Sequence, residues 1–186
     1  MILCSDPRAQ YQAHRAEIDA AVARVLASNS YVLGTEVAAF EREFSSYLGA
    51  PHTVGVASGT DALILALRAL DIGDGEVITG ALSATATLAA IVAAGAKPVV
   101  VDLSPDTLTL SPAAVERAIG PRTKAIIAVH LHGGPADIQS LASFTRRSGI
   151  ALIEDCAQSV GGVTGERRLG TFGDVGCFSF YPTKNL

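Results

Sequence analysis

A lysine, two adjacent carboxylates, a glycine turn and two histidines carry most of the chemistry this chain can offer. Lys184 lies two residues from the end of the stretch Cys177-Phe178-Ser179-Phe180-Tyr181-Pro182-Thr183-Lys184-Asn185-Leu186. At a ligand-binding edge its amine can form a Schiff base with an aldehyde; elsewhere it is a solvated charge. Glu154-Asp155 can turn only one carboxylate toward a cationic ligand, because neighbouring strand residues face opposite ways. Gln158, three positions after Asp155, can hydrogen-bond a further ligand atom. Ser58-Gly59-Thr60 stands where a strand gives way to a helix, so free N–H groups and a partial positive charge suit a phosphate there. The three spaced glycines of a dinucleotide fingerprint are missing. His130 and His132 fall on one side of a strand end and read as a polar pair lining the ligand edge. A metal would need a third ligand that the sequence does not supply, so no metal site is expected. Ser83, Thr85 and Thr87 have no evident base, and no Gly-x-Ser-x-Gly elbow is present.

The elements that must position these residues alternate. Ile18, Ala21, Val22, Val25 and Leu26 have helical spacing. Thr35 can cap a second helix that stops at Gly49, with Val37, Phe40, Phe44, Tyr47 and Leu48 on one face. Strands are expected at Thr53–Ala57, Val77–Thr79, Pro98–Val101, Lys124–Val129 and Ile150–Ile153, the last ending in Glu154-Asp155. A sixth lies in the final stretch, with Phe178, Phe180 and Tyr181 buried and Pro182 ending it. Helices lie between: apolar from Ala62 to Leu70, alanine-rich up to Gly95, one opening at Ser111-Pro112, and one capped by Asp137 and closed by Gly149. The strands are apolar on both faces, as in a sheet covered by helices on each side. This order predicts an α/β fold: three layers, α/β/α, around a mainly parallel sheet. Ligands of such sheets bind outside the carboxyl ends of the strands. Residues 1–50 read as a helical segment and residues 51–186 as the sheet domain.

With 186 residues, 49% of them hydrophobic and 17% charged, the chain can bury a real core. The net charge of −4 with scattered basic residues gives no footprint for nucleic acid. Cys4, Cys156 and Cys177 are odd in number and far apart, which fits a reducing cytoplasm better than a disulfide framework. Val77 to Ala96 carries no charge, but Gly80, Ser83, Thr85 and Thr87 dilute it, and a strand end plus a buried helix explains it better than a membrane span.

Taken together, the phosphate turn, Asp155 and Lys184 converge on one sheet edge. They match three parts of one cofactor, pyridoxal 5′-phosphate (PLP): its phosphate, its protonated ring nitrogen and its aldehyde.

At this point the sequence resembles the DegT/StrS-type PLP-dependent nucleotide-sugar aminotransferases of fold type I. The resemblance is carried by Gly34-Thr35-Glu36-Val37 with Phe40-Glu41; by Gly59-Thr60-Asp61-Ala62-Leu63; by Val129-His130 with Gly133 and Pro135-Ala136-Asp137; by Glu154-Asp155-Cys156-Ala157-Gln158-Ser159; and by Phe178 to Leu186. It implies an aspartate aminotransferase-like large domain. It also implies roles: Lys184 as the Schiff-base lysine that shuttles a proton, Asp155 as partner of the pyridinium nitrogen, and Gln158 beside the phenolic oxygen. Gly59, Thr60 and Ser179 would contact the phosphate. The implied reaction moves an amino group from a donor such as glutamate to a nucleotide-linked keto-sugar, in amino-sugar and polysaccharide biosynthesis. A homodimer is implied as well.

Three departures stand out. Ala84 occupies the position that usually carries an aromatic ring stacked on the cofactor. His132 and Gly134 replace the usual Tyr and Gln around the His130 motif. Third, such enzymes continue well past the lysine. The chain is therefore expected to be the N-terminal part, lacking the small domain and the antiparallel strand beside its first strand. A complementing C-terminal half is then an expected partner, and a catalytically inactive fragment or assembly partner is the alternative reading.

Overall fold

The computed structural model describes residues 6–185, so Cys4 and Leu186 lie outside the described residues. The chain forms two compact units. One comprises the residues up to Gly55 together with Tyr181–Thr183; the other comprises Val56–Phe180 and the residues from Lys184 onward.

The first unit holds three helices, α1 (Pro7–Ala13), α2 (Arg15–Ser28) and α3 (Thr35–Leu48). Asp6 caps α1, accepting from the Ala9 N–H at 3.1 Å. Gly34, rather than Thr35, is the N-cap of α3, and Gly49 ends it in the left-handed conformation at φ 71°. Arg24 on α2 grips Glu36 on α3 with two hydrogen bonds, at 2.9 and 3.2 Å. Phe40 and Phe44 stack along α3 with centroids 5.6 Å apart, and the Gly55 N–H donates to the Glu41 carboxylate at 2.7 Å. The apolar stripe of α2 stays open: Ile18, Val22 and Leu26 are all exposed.

The second unit is the α/β body. Its sheet runs β1 (Glu76–Gly80), β2 (Lys97–Val101), β3 (Thr123–Val129), β4 (Ala151–Asp155) and β7 (Val175–Cys177), in the spatial order β2-β1-β3-β4-β7, all parallel. A short antiparallel hairpin, β5 (Val163–Thr164) and β6 (Arg167–Arg168), precedes β7. Helices α4 (Gly59–Ala69), α5 (Thr85–Ala93), α6 (Pro112–Ala118) and α7 (Ile138–Ser148) complete it.

Strand parity builds the two cores. Val77, Ala125, Ile127, Ile153 and Cys177 pack with Leu63, Ala66 and Leu67 of α4 and Ala90 and Ile91 of α5. Ile78, Ile126, Ala128 and Leu152 face the other way, onto Val115 of α6 and Ile138, Leu141 and Ala142 of α7. The sheet is thus sandwiched as the apolar strands predict, and each fully buried Leu or Ile contributes about 1.5–3 kcal/mol. The chain leaves β1 to form β2 on one side and then crosses to β3 on the other. The carboxyl end of the β1–β3 pair is therefore the topological switch point.

Two expected strands differ. Thr53–Ala57 is not a strand, because among the described residues no neighbour offers it a ladder. The terminal strand sits earlier than predicted, at Val175–Cys177, where Ile153, Glu154 and Asp155 supply its partners. Beyond Asp155 the neighbouring chain turns away, the Cys156 N–H donating to the Cys177 carbonyl at 2.7 Å. Phe180 and Tyr181, past that point, are exposed rather than buried. Among the described residues, no helix is long and apolar enough to cross a membrane.

Candidate functional site

Strand β4 delivers two acids to the carboxyl edge of the sheet and parts them. Asp155 shares the face of Ile153, toward α4 and α5; Glu154 shares the face of Leu152, toward α6 and α7. Asp155 is 5% exposed. Its Oδ2 accepts from the Thr87 hydroxyl at 2.9 Å and its Oδ1 from the Ala157 N–H at 3.1 Å. Burial pushes its carboxyl above the ordinary value, against the pull of those two donors and of the charge on Lys184. A buried carboxylate with only two hydrogen bonds among the described residues keeps lone pairs for a cationic partner.

Glu154 has no such vacancy. Its Oε1 accepts from the Phe172 and Gly173 N–H groups at 2.6 and 2.8 Å, and its Oε2 from the Gly170 N–H at 2.8 Å and from His130 Nε2 at 3.1 Å. Burial would raise its pKa, but the His130 hydrogen bond and the backbone donors outweigh it and hold the carboxyl below its ordinary value. His130 Nδ1 accepts the Ala136 N–H at 3.1 Å, which assigns the ring proton to Nε2. Its neighbour Cys156 is buried and its thiol pushed well up, chiefly by burial. His130, Glu154 and Cys156 cluster closely enough for a metal, yet the imidazole nitrogens and the carboxylate oxygens are already engaged and the thiol stays protonated. The cluster is an internal brace for the loop before β7.

The expected histidine pair does not form. His130 is fully buried, whereas His132 is exposed, at φ 55° in a 3-10 turn (Leu131–Gly133). The reason is that β3 ends at Val129, so two-residue spacing no longer means one side. The His132 backbone N–H donates to Gln158 Oε1 at 2.6 Å. That bond orients the amide and leaves its NH2 as a donor to a ligand oxygen.

At the start of α4, Ser58 accepts the Asp61 N–H at 3.1 Å and donates to the Asp61 carboxylate at 2.8 Å. Gly59 and Thr60 are the first two helical residues, whose N–H groups have no intrahelical partner. Ser179 lies directly against Gly59: a Cβ there would sit 3.0 Å from the Ser179 Cβ and 3.3 Å from the Phe178 carbonyl oxygen. A side chain at position 59 would press on Ser179 and on the Phe178 carbonyl, so the close approach favours glycine here. At the chain's far end the Asn185 amide donates to the Val160 carbonyl at 2.6 Å. That bond ties the segment after β7 to the turn after β4, and the Lys184 charge on the same segment is within electrostatic reach of Asp155. Ala84 is exposed, at the N-cap of α5.

This arrangement can be set against known proteins. The sequence profile of the DegT/DnrJ/EryC1/StrS aminotransferase family matches residues 12–186. The chain belongs to this family. It is 50% identical over 182 residues to the dTDP-3-amino-3,4,6-trideoxy-alpha-D-glucose transaminase of Streptomyces venezuelae, covering 97% of this chain and 48% of that protein. It is 46% identical over 182 residues to the UDP-N-acetyl-3-dehydro-alpha-D-glucosamine 3-aminotransferase of Acidithiobacillus ferrooxidans, covering 97% and 49%. The crystal structure of S. venezuelae DesV in complex with a ketimine intermediate superposes with a TM-score of 0.95 at 49% identity, covering 97% of this chain and 49% of that one. The chain spans about half the length of the curated relatives it matches.

Of the residues singled out in the sequence, Ser179 lies against Gly59 at the start of α4, Asp155 ends β4 with Gln158 just after it, and Lys184 lies on the segment that follows β7. Thr87, which has no evident base in the sequence, is instead held to Asp155. The available signal was its place in the stripe Thr87, Ala90, Ile91, the sheet-facing side of α5, where a hydroxyl needs a buried acceptor.

Proposed function

We propose that this chain supplies the cofactor-binding large domain of a PLP-dependent aminotransferase acting on a nucleotide-linked keto-sugar, with an amino-acid donor such as glutamate, in amino-sugar biosynthesis. The observation that carries this reading is the buried, two-donor Asp155 carboxylate with Lys184 in electrostatic reach of it. The other residues fit the cofactor too. The N–H groups of Gly59 and Thr60 with the Ser179 hydroxyl suit its phosphate, and the free amide donor of Gln158 suits its phenolic oxygen. When bound, the group supplies an electron-accepting ring. Lys184 would hold it covalently and carry a proton to and from the substrate carbon. Asp155 would hold a proton on the ring nitrogen, and Cys177 beside it stays a neutral thiol, its pKa pushed up to about 12 by burial and by the Asp155 charge.

The open stripe on α2 supports a homodimer. Two free, buried cysteines suit a reducing cytoplasm. The relatives' greater length supports a C-terminal half that completes the substrate pocket. A second reading, a cofactor-binding assembly partner without turnover, is favoured by the exposed methyl of Ala84 where a stacking ring is usual.

The test is borohydride trapping. The chain is incubated with PLP, reduced and digested, and the adduct is located by mass spectrometry. The expected result is an adduct confined to Lys184 and lost in Asp155→Ala. Labelling spread over other lysines, or none, would overturn the reading.

A further inference from the structure

The Thr87 hydroxyl does not end at Asp155. Its oxygen also lies 2.9 Å from the Ser83 hydroxyl. Hydroxyl bookkeeping fixes the direction when Asp155 is ionised. A carboxylate only accepts, so the single Thr87 proton goes to Asp155 Oδ2 and Ser83 must donate to Thr87. Thr87 is fully buried in the first turn of α5, while Ser83 is part-buried in the β1–α5 loop. The two hydroxyls thus form a polarised chain aimed at the carboxylate, starting at the switch-point side of the sheet.

We propose that Thr87, backed by Ser83, is a positioning residue that fixes the rotamer of Asp155 and keeps it ionised. The inference rests on the cofactor-site reading above, because an ionised Asp155 is what a protonated ring nitrogen needs. A neutral Asp155 would surrender that proton's partner. Few groups can do the job instead. The titratable groups around Asp155 are Lys184 on the segment after β7, His130 at the end of β3, Cys156 and Glu154 beside it on the chain, and Cys177 on β7. His130 spends its ring proton on Glu154, and the two thiols stay neutral. Once Lys184 is bound covalently it no longer brings its free ammonium to the carboxylate. Ala157 N–H and Thr87 are then the fixed donors left. A buried hydroxyl donor to a charge is stronger than one between neutral groups.

Thr87→Val removes the hydroxyl at nearly constant shape, Thr87→Ser keeps it, and Ser83→Ala removes only the outer link. The direct readout needs no cofactor. The full chain is labelled with 13Cγ-aspartate, the Asp155 resonance is assigned by its loss in Asp155→Asn, and its titration is followed with pH. Thr87→Val is expected to make Asp155 a roughly ten-fold weaker acid, a shift of about one pKa unit. Thr87→Ser should restore it to within about two- to three-fold, and Ser83→Ala should weaken it by about two- to three-fold. The same order should appear in the PLP concentration needed for half-maximal trapping at Lys184. An Asp155 titration unchanged in Thr87→Val would overturn the proposal. Variant-dependent titration with no Lys184 adduct would sink the cofactor reading and leave the Thr87–Asp155 coupling standing.

Discussion

Glu154 and Asp155 are neighbours on one strand with opposite occupations. Both are buried carboxylates at the carboxyl end of β4, and only strand parity separates their surroundings. Glu154 meets three backbone N–H groups and an imidazole whose tautomer is fixed from behind. Every one of those donors is an N–H that cannot become an acceptor. Asp155 meets one N–H and one hydroxyl. The saturated acid is held below its ordinary value and braces a loop; the undersaturated one is pushed above its ordinary value and lies within electrostatic reach of Lys184. A buried carboxylate therefore reveals its role less by burial than by the number and kind of donors that answer it.

The largest effect should come from Glu154→Gln. Whichever way the amide is turned, its NH2 faces two N–H donors: Phe172 and Gly173 on one side, Gly170 and His130 on the other. The expected loss is about 2–6 kcal/mol, the scale for leaving two buried N–H donors without an acceptor, read from the urea midpoint of the chain. A Glu154→Gln chain as stable as the parent would break the comparison at its first limb. Gly173→Ala attacks the same brace from the loop side. The new Cβ would collide with the Leu152 carbonyl, so the backbone whose N–H groups hold Glu154 must shift. A loss of about 1–3 kcal/mol is expected, as for overpacking. Trapping at Lys184 should weaken with it, because β7 follows that loop directly.

Much of this was legible in the sequence for a physical reason. Strands buried on both faces read as apolar runs, and β1 to β4 lie within a residue or two of their expected bounds. Caps read equally well: Ser111 and Asp137 each accept the N–H three residues on, and Gly149 ends α7 at φ 66°. What failed depended on partners rather than local pattern. Thr53–Ala57 has strand composition but no ladder, and Phe178–Tyr181 lies past the last residue of β4 that could pair with it. The site shows the same division. Parity announced that only one of Glu154 and Asp155 could face a ligand. Which one it is was set by the loop at 170–173, whose glycines gave no sequence-level sign of being donors to Glu154. The Thr87 contact joins residues 68 positions apart and leaves only a polar residue on an apolar stripe as its trace.

The smallest effect on stability, and the sharpest on the comparison, belongs to Asp155→Asn. An amide fits this site because one of its donors can turn round. Ala157 N–H keeps the amide oxygen, while Thr87 accepts from the new NH2 and passes its own proton to Ser83. The pH dependence then separates the two acids by sign. Glu154, held below its ordinary value of 4.5, contributes stability that is present above that value and lost as pH falls through its lowered folded value. Asp155, pushed above its ordinary value of 3.8, favours the folded state below that value and loses this contribution as pH rises through its raised folded value. Removing Asp155's charge should therefore leave the chain at least as stable as the parent at neutral pH. The difference between Asp155→Asn and the parent should grow in the variant's favour from acid to neutral pH, in urea melts at matched ionic strength. Trapping at Lys184 should fall at least about ten-fold in the same variant, since the ring nitrogen loses an ionised partner. If Asp155→Asn instead destabilised the chain as much as Glu154→Gln does, Asp155 would be a second brace, and its open lone pairs would have no part in holding a ligand.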